Sequence, residues 1–406
     1  MIKKLSVKLP DYFKDFQCIG GKCEDTCCIG WDIDIDEETY KKYVNCENVY
    51  FQQLFKSNMY INDDFSNESV DYAKIKLNKH KRCPFLDDCN YCSIHSDMSE
   101  DYLSNTCSHF PRVLNKIDEE YEISLDIACP EAARIVLGQK DGISFNKDNV
   151  DLKKYIVAGE IDTNDEDYED YPIKYFKEIR NCCISIIKNR DFDISIRLFI
   201  LGDFLYRLEE KSDENCESVC IFIENYNVDQ AAQFYIRNDL NYMMQISLLD
   251  NIVNSLDIYS ETDSVLFKEY TKQAIEGFNI KSSQQLERDC DKYIDAFVNY
   301  SREYIDKNNY IFENYLVNFM YNNLFPYSES DSMFEGYIMM LIRYSLMRFY
   351  LVGKYLYNKK ESTEDIIKFI QVFSKAIEHD KNYIEEILDY ILENGFDNME
   401  FAEMII

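Results

Sequence analysis

The chain has 406 residues, 46% hydrophobic and 15% aromatic, with 75 Asp and Glu against 44 Lys and Arg for a formal charge of −31. That much apolar material excludes a disordered chain and suffices for two domains with cores of their own. The acidic surface argues against binding nucleic acid and favours cationic, lysine-bearing partners, an attraction that salt weakens.

The N-terminus, MIKKLSVKLPDYF, has no long apolar core and no small-residue cleavage site. No secretory leader is expected, and the location is expected to be cytoplasmic. In a reducing compartment, fifteen cysteines are poor evidence for disulfides. Most of them precede residue 130. CIGGKCEDTCCIGW (18–31) supplies Cys18, Cys23, Cys27, Cys28 and the single tryptophan, Trp31. WDIDID (31–36) reads as a short strand. CPFLDDCNYCSIH (83–95) adds Cys83, Cys89 and Cys92, and TCSHFPR (106–112) adds Cys107 and Arg112. EISLDIAC (122–129) alternates as a second strand and ends on Cys129.

Cys129 precedes Pro130 and EAARIVL, so a helix starting at Pro130 is expected. The thiol would then sit at the helix N-terminus, where N–H groups lower a thiol pKa. Asn90, just before Cys92, suits a left-handed turn. Gly20, Gly21 and Gly30 free the first loop to offer N–H groups to bound sulfur. An acidic run ending in proline, GEIDTNDEDYEDYP (159–172), reads as a linker. Helical spacing follows over 175–190, 195–210, 316–325, 334–357, 364–377 and 381–392. The most apolar stretch, 336–355, carries two arginines and reads as a buried helix, not a membrane span. The expected fold is mostly α: an irregular Cys-rich metal-binding module over 1–150 with a small strand pair, then an acidic α-helical domain over 165–406.

Thiolates converging from separate segments select zinc or iron–sulfur clusters over hard cations. Cys27 and Cys28 are neighbours, and neighbouring side chains in extended backbone point to opposite sides. Both reach one centre only around a tight turn; otherwise one serves a second centre, caps the cluster differently or is buried. Cys46 and Cys89 read as bystanders, and Cys182–Cys183 as core packing. His80, His95 and His109 are candidate ligands of a mixed site, although exposed or hydrogen-bonded histidines are the simpler reading.

Taken in order, CIGGKCEDTCCIGWDID, CPFLDDCNYCSIH, EDYLSNTCSHFPR and SLDIACPEAARI resemble the successive motifs of the flagellin lysine-N-methylase (FliB) family. FENYLVNFMYNNLFPY (312–327) resembles its helical region, down to Glu313 and Asn314. That family lies within a wider cysteine-rich, zinc- or iron-chelating group with a CxxCxxCC-like start. The resemblance implies an S-adenosylmethionine-dependent methyltransferase acting on flagellin lysines, with a 4Fe–4S cluster. It places the family cysteines on Cys18, Cys23, Cys27, Cys28, Cys83, Cys92, Cys107 and Cys129. Cys89 departs from the pattern, standing where an acidic or polar loop residue is expected.

Methyl transfer needs a neutral lysine amine, although free lysine has a pKa of about 10.4. A carboxylate, tyrosinate or ordered water could accept the proton; the sequence singles out none. There is no strand–GxGxG–helix opening, and the C-x3-C-x2-C loop of radical enzymes fails at Gly30. The favoured chemistry is therefore a cluster iron that chelates the amino and carboxylate groups of S-adenosylmethionine. Arg112 is the candidate partner for that carboxylate or for cluster charge, and Trp31 for adenine stacking as against core packing. Two rivals are a zinc-stapled protein-interaction module without catalysis and an electron carrier.

Overall fold

The computed structural model describes residues 3–236, 238, 241–255, 264–280, 283–379 and 381–406. The chain divides into two units. The first comprises Met1–Ile135 with Ser144–Glu160, and the second Val136–Ile143 with Ile161–Ile406.

The first unit opens with β1 (Lys3–Pro10), whose Leu5, Val7 and Leu9 are buried while Lys4 and Ser6 are exposed. This period of two is what a half-buried strand requires. Next come β2 (Asp34–Ile35), β3 (Met59–Ile61) and β4 (Ala73–Ile75), then β5 (Arg112–Ile117), β6 (Glu120–Leu125), β7 (Phe145–Leu152) and β8 (Val157–Ile161). They form a five-stranded sheet in the order β7-β1-β6-β5-β8 and a three-stranded sheet in the order β2-β4-β3. β1 runs antiparallel to β7, from Lys3 opposite Leu152 to Pro10 opposite Phe145, and parallel to β6.

Two sheets thus replace the small strand pair expected from sequence. Both strands read from sequence exist, but shortened. WDIDID pairs only at Asp34–Ile35, because Asp36 leaves the strand to cap the helix Glu37–Val44, its Oδ1 accepting from Thr39 N at 2.9 Å. EISLDIAC ends at Leu125, because Asp126 folds back to accept Ala128 N at 2.8 Å.

A hydrophobic cluster of Ile33, Ile35, Tyr43, Phe51, Phe55, Phe85 and Ile94 underlies the three-stranded sheet. Tyr43 and Phe55 stack at 3.9 Å within it. Cys83 belongs to this cluster, and Cys28 and Cys92 pack against it. The core therefore fixes the backbone of three candidate ligands.

The second unit is helical, as expected. Its longest helix, Met333–Asn358, is buried along nearly its whole length. Its arginines find partners inside the protein: Arg343 pairs with Glu329 at 2.7 Å, and Arg348 donates to Gln245 Oε1 at 2.6 Å. No helix among the described residues is long and apolar enough to cross a membrane.

Candidate functional site

All eight selected cysteines lie in the first unit. Cys18 and Cys23 bracket the short turn Gly20–Lys22, closed by Cys23 N donating to Gly20 O at 2.9 Å. A Cβ on Gly21 would stand 2.5 Å from the Cys89 carbonyl, so glycine is what lets the first and second cysteine loops touch. Cys27 and Cys28 sit in a turn, with Ile29 N donating to Thr26 O at 3.3 Å. The tight-turn arrangement is therefore realised.

The second loop is wired directly to the first. Cys83 N donates to Cys28 O at 2.9 Å, and Ile29 bridges to Arg82 and Leu86 to Cys92. Asn90 adopts the expected left-handed conformation (φ 62), and its Oδ1 accepts from Arg82 Nη1 at 2.7 Å. Gly30 is also left-handed (φ 95), but its N–H is spent on Lys81 O at 3.0 Å and is not offered to sulfur.

Cys107 lies on the helix Asn105–His109, where the capping Ser104 Oγ accepts Cys107 N at 3.2 Å. Cys129 directly precedes the helix Pro130–Leu137, as expected. Arg134 on that helix reaches Glu24, beside Cys23, at 2.6 Å.

One electrostatic expectation is reversed. Burial pushes the Cys129 thiol up to about 11, outweighing the N–H groups of Ala132 and Glu131 that pull it down. Cys107 is solvent-exposed as a residue, yet the protein packed around its thiol raises it to about 12, with Cys28 adding to the rise. Burial also raises Cys23, Cys83 and Cys92. Cys27 is raised well above the thiol range, first by its hydrogen bond to Cys28. These soft donors push one another toward the neutral form, and a cation among them would reverse the push. Among the described residues, no three Cys, His, Asp or Glu side chains are grouped to hold a metal ion. The chemistry of the donor set fits a sulfur-bound metal.

Arg112 is half-buried, its guanidinium 5.7 Å from the Phe16 ring and within the field of Glu100 and Cys18, and it forms no ion pair among the described residues. The Trp31 indole donates to Cys27 O at 2.5 Å and meets Phe110 edge-on at 5.2 Å. Trp31 therefore braces the Cys27 turn. His80 and His95 are exposed, the simpler reading. His109 departs from it: the side chain is buried, both ring nitrogens lack a hydrogen-bond partner, and burial lowers it to about 4. Cys46 is buried and Cys89 exposed. Cys183 is buried, whereas Cys182 lines a cavity of about 370 Å³ with Lys188, Asn189 and Tyr226.

The second unit holds an ionic cluster whose only sequence signal was the resemblance at Glu313. Its buried carboxylate accepts from Arg190 Nε and Nη2, both at 2.9 Å, and from Arg197 Nη1 at 2.8 Å. Asn314 beside it donates to Gln139 O at 2.8 Å.

Residues 180–405, more than half of the chain, match the model of the FliB lysine N-methylase C-terminal domain. The chain belongs to the FliB lysine N-methylase family. The FliB match lies wholly in the second unit and contains none of the eight cysteines. The chain is also 30% identical over 147 residues to the flagellar biosynthetic protein FliU of Salmonella muenchen, which covers 36% of this chain and 85% of that protein. It is 28% identical over 158 residues to the lysine-N-methylases of Salmonella choleraesuis and Salmonella typhimurium. Those matches cover 39% of this chain and 39% of each relative. No solved structure matches.

Proposed function

We propose that this FliB-family chain transfers a methyl group from S-adenosylmethionine to lysine Nζ atoms of flagellin in the cytoplasm, using a thiol-bound iron–sulfur cluster. One observation carries the reading. A lysine N-methylase family match in the second unit accompanies, in the first, cysteine loops joined to one another through Cys83 N and Cys28 O at 2.9 Å. Cys18, Cys23, Cys27, Cys28, Cys83, Cys92, Cys107 and Cys129 would supply the sulfur ligands. When bound, such a cluster supplies Lewis-acid iron that can chelate the amino-acid end of a ligand.

The chain's own residues do the rest. Arg112, which makes no ion pair among the described residues, binds and orients the carboxylate of S-adenosylmethionine. Trp31 holds the Cys27 turn against Phe110, keeping the first loop in place. The incoming lysine loses its proton to solvent water, its lone pair forms the N–CH3 bond, and the S–CH3 bond breaks, its electron pair staying on sulfur, to release S-adenosylhomocysteine. The acidic surface draws the lysine-bearing protein to the enzyme.

The test is an anaerobic preparation of the full chain analysed for iron, sulfide and zinc, then incubated with flagellin and methyl-labelled S-adenosylmethionine. Iron with sulfide and label on flagellin lysines is the expected result. Zinc without sulfide or label leaves the protein-interaction module standing instead. Iron without label leaves the electron carrier.

A further inference from the structure

We infer that β7 is a self-pairing edge: two copies of this chain join through it, antiparallel about a two-fold axis at Asn149, with Lys147 of each copy opposite Asp151 of the other. The inference concerns the first unit alone and is independent of methyl transfer.

An edge strand offers unpaired N–H and C=O groups, and proteins blunt such edges with short strands, proline or a bulge. β7 has none of these. Its eight residues, FNKDNVDL, pair with β1 without interruption, from Phe145 opposite Pro10 to Leu152 opposite Lys3. Among the described residues, no strand lies on its other side. The opposite edge of the sheet, β8, has only five residues and holds Gly159. What β7 does carry is charge, and that charge is arranged to match itself.

The alternation of the ladder decides which backbone groups are open. Asp11 N donates to Ser144 O at 2.8 Å, one step beyond the pair of Pro10 and Phe145. Antiparallel strands exchange bonds at every second position, so Asn146, Asp148, Val150 and Leu152 are the residues bonded to β1. Lys147, Asn149 and Asp151 turn their N–H and C=O groups outward, and all three are exposed. Asn149 N agrees with this parity: it donates to Asp148 Oδ1 at 2.7 Å, its own neighbour, and not to β1.

A second copy can bond only where its own open positions face these. Centring the pairing on Asn149 sets Lys147 opposite Asp151 at both ends, and each such pair exchanges both backbone bonds. Neighbouring registers fail on charge. Centring on Asp148 sets two aspartates face to face, and centring on Val150 sets Lys147 opposite Lys153. Lys147 also meets Glu120 of its own copy, but that pair is exposed and screened by solvent, which leaves the side chain available to Asp151. A two-fold pairing closes on itself, so it yields a dimer with one continuous sheet and not a growing fibre. The charge of −31 on each copy opposes the encounter, and the contact is small, so a weak, reversible dimer is expected.

The experiment is sedimentation velocity on the full chain from about 1 to about 200 μM, at about 0.15 M salt, where the Debye length is about 8 Å. A reducing agent keeps thiol cross-links from mimicking the pairing. The wild type should pass from monomer to dimer. Asp151→Lys and Lys147→Asp each set like charges opposite one another at both ends, and each should weaken association about tenfold or more. Lys147→Asp combined with Asp151→Lys restores opposite charges and should return the dimer to within about threefold of wild type. Asn149→Pro removes the central outward N–H, which β1 does not use, and should leave a monomer. Where that variant lacks the wild-type circular dichroism, the charge exchange decides. A wild type that stays monomeric throughout overturns the inference. So does a dimer that the single charge reversals leave intact, or a folded double variant that remains monomeric. If the wild type stays monomeric but binds flagellin, and Asn149→Pro abolishes that binding, the edge serves the substrate and the inference fails equally.

Discussion

Two arginines illustrate what single residues do in this chain. Arg112 has an aromatic ring, Glu100 and Cys18 nearby but makes no ion pair among the described residues. If it grips the carboxylate of S-adenosylmethionine, Arg112→Ala should weaken that binding about tenfold or more, the worth of a charge-assisted hydrogen bond. Metal content should not change. Calorimetric titration of the metal-loaded variant checks this, and an unaltered Kd would refute it. Arg197 is the opposite case. Almost fully buried, it is satisfied by Phe192 O, Ile187 O and the Glu313 carboxylate. Glu313→Ala would strand its charge and should cost about 3–5 kcal/mol. Urea unfolding would show this, and a loss below about 1 kcal/mol would contradict the buried pairing. Neither setting could be read from local sequence, since Arg197 and Glu313 lie 116 residues apart. Cys129 shows the same boundary. Its place before a helix was legible from Pro130, a local rule. Its raised pKa was not, because burial belongs to the assembled fold.

At the level of elements, the helix Met333–Asn358 is built to be enclosed. Glu209 caps its start, accepting Met333 N at 2.9 Å and Phe334 N at 3.3 Å. Where it crosses the helix Val265–Phe278, Gly277 and Gly353 let the backbones meet: a Cβ on Gly277 would stand 1.9 Å from Gly353 O. Gly353→Ala would place its Cβ 2.7 Å from Ala274 O and should cost about 1–3 kcal/mol by overpacking. Thermal unfolding would measure the loss, and an unchanged Tm would mean the crossing is loose. Helices like these were legible because 3.6-residue spacing persists over many turns. Several strands were not. β2, β3 and β4 are two or three residues long, too short for a period to emerge. β7, FNKDNVDL, is mostly polar, and only its pairing with β1 identifies it. The alternation of Leu5, Val7 and Leu9 was present in the sequence, although the flanking lysines disguise it.

For the whole molecule, the net charge of −31 is the property composition states most plainly. It has little to do with holding the fold together, because in exposed pairs such as Lys41–Glu37 and Lys307–Glu303 solvent screens the attraction. Its consequence lies in association. Like charges over the surface repel acidic partners and raise the encounter rate with lysine-bearing ones, over a range set by the Debye length. That length is about 10 Å at 0.1 M salt and about 3 Å at 1 M. If the acidic surface recruits flagellin, kcat/KM for flagellin methylation should fall several-fold between about 50 mM and about 500 mM salt. The chemical step takes place after docking, so kcat at saturating flagellin should change little. Initial rates across that range, with circular dichroism to confirm that the fold persists, would show the pattern. A flat kcat/KM would mean that flagellin is found through contacts other than charge.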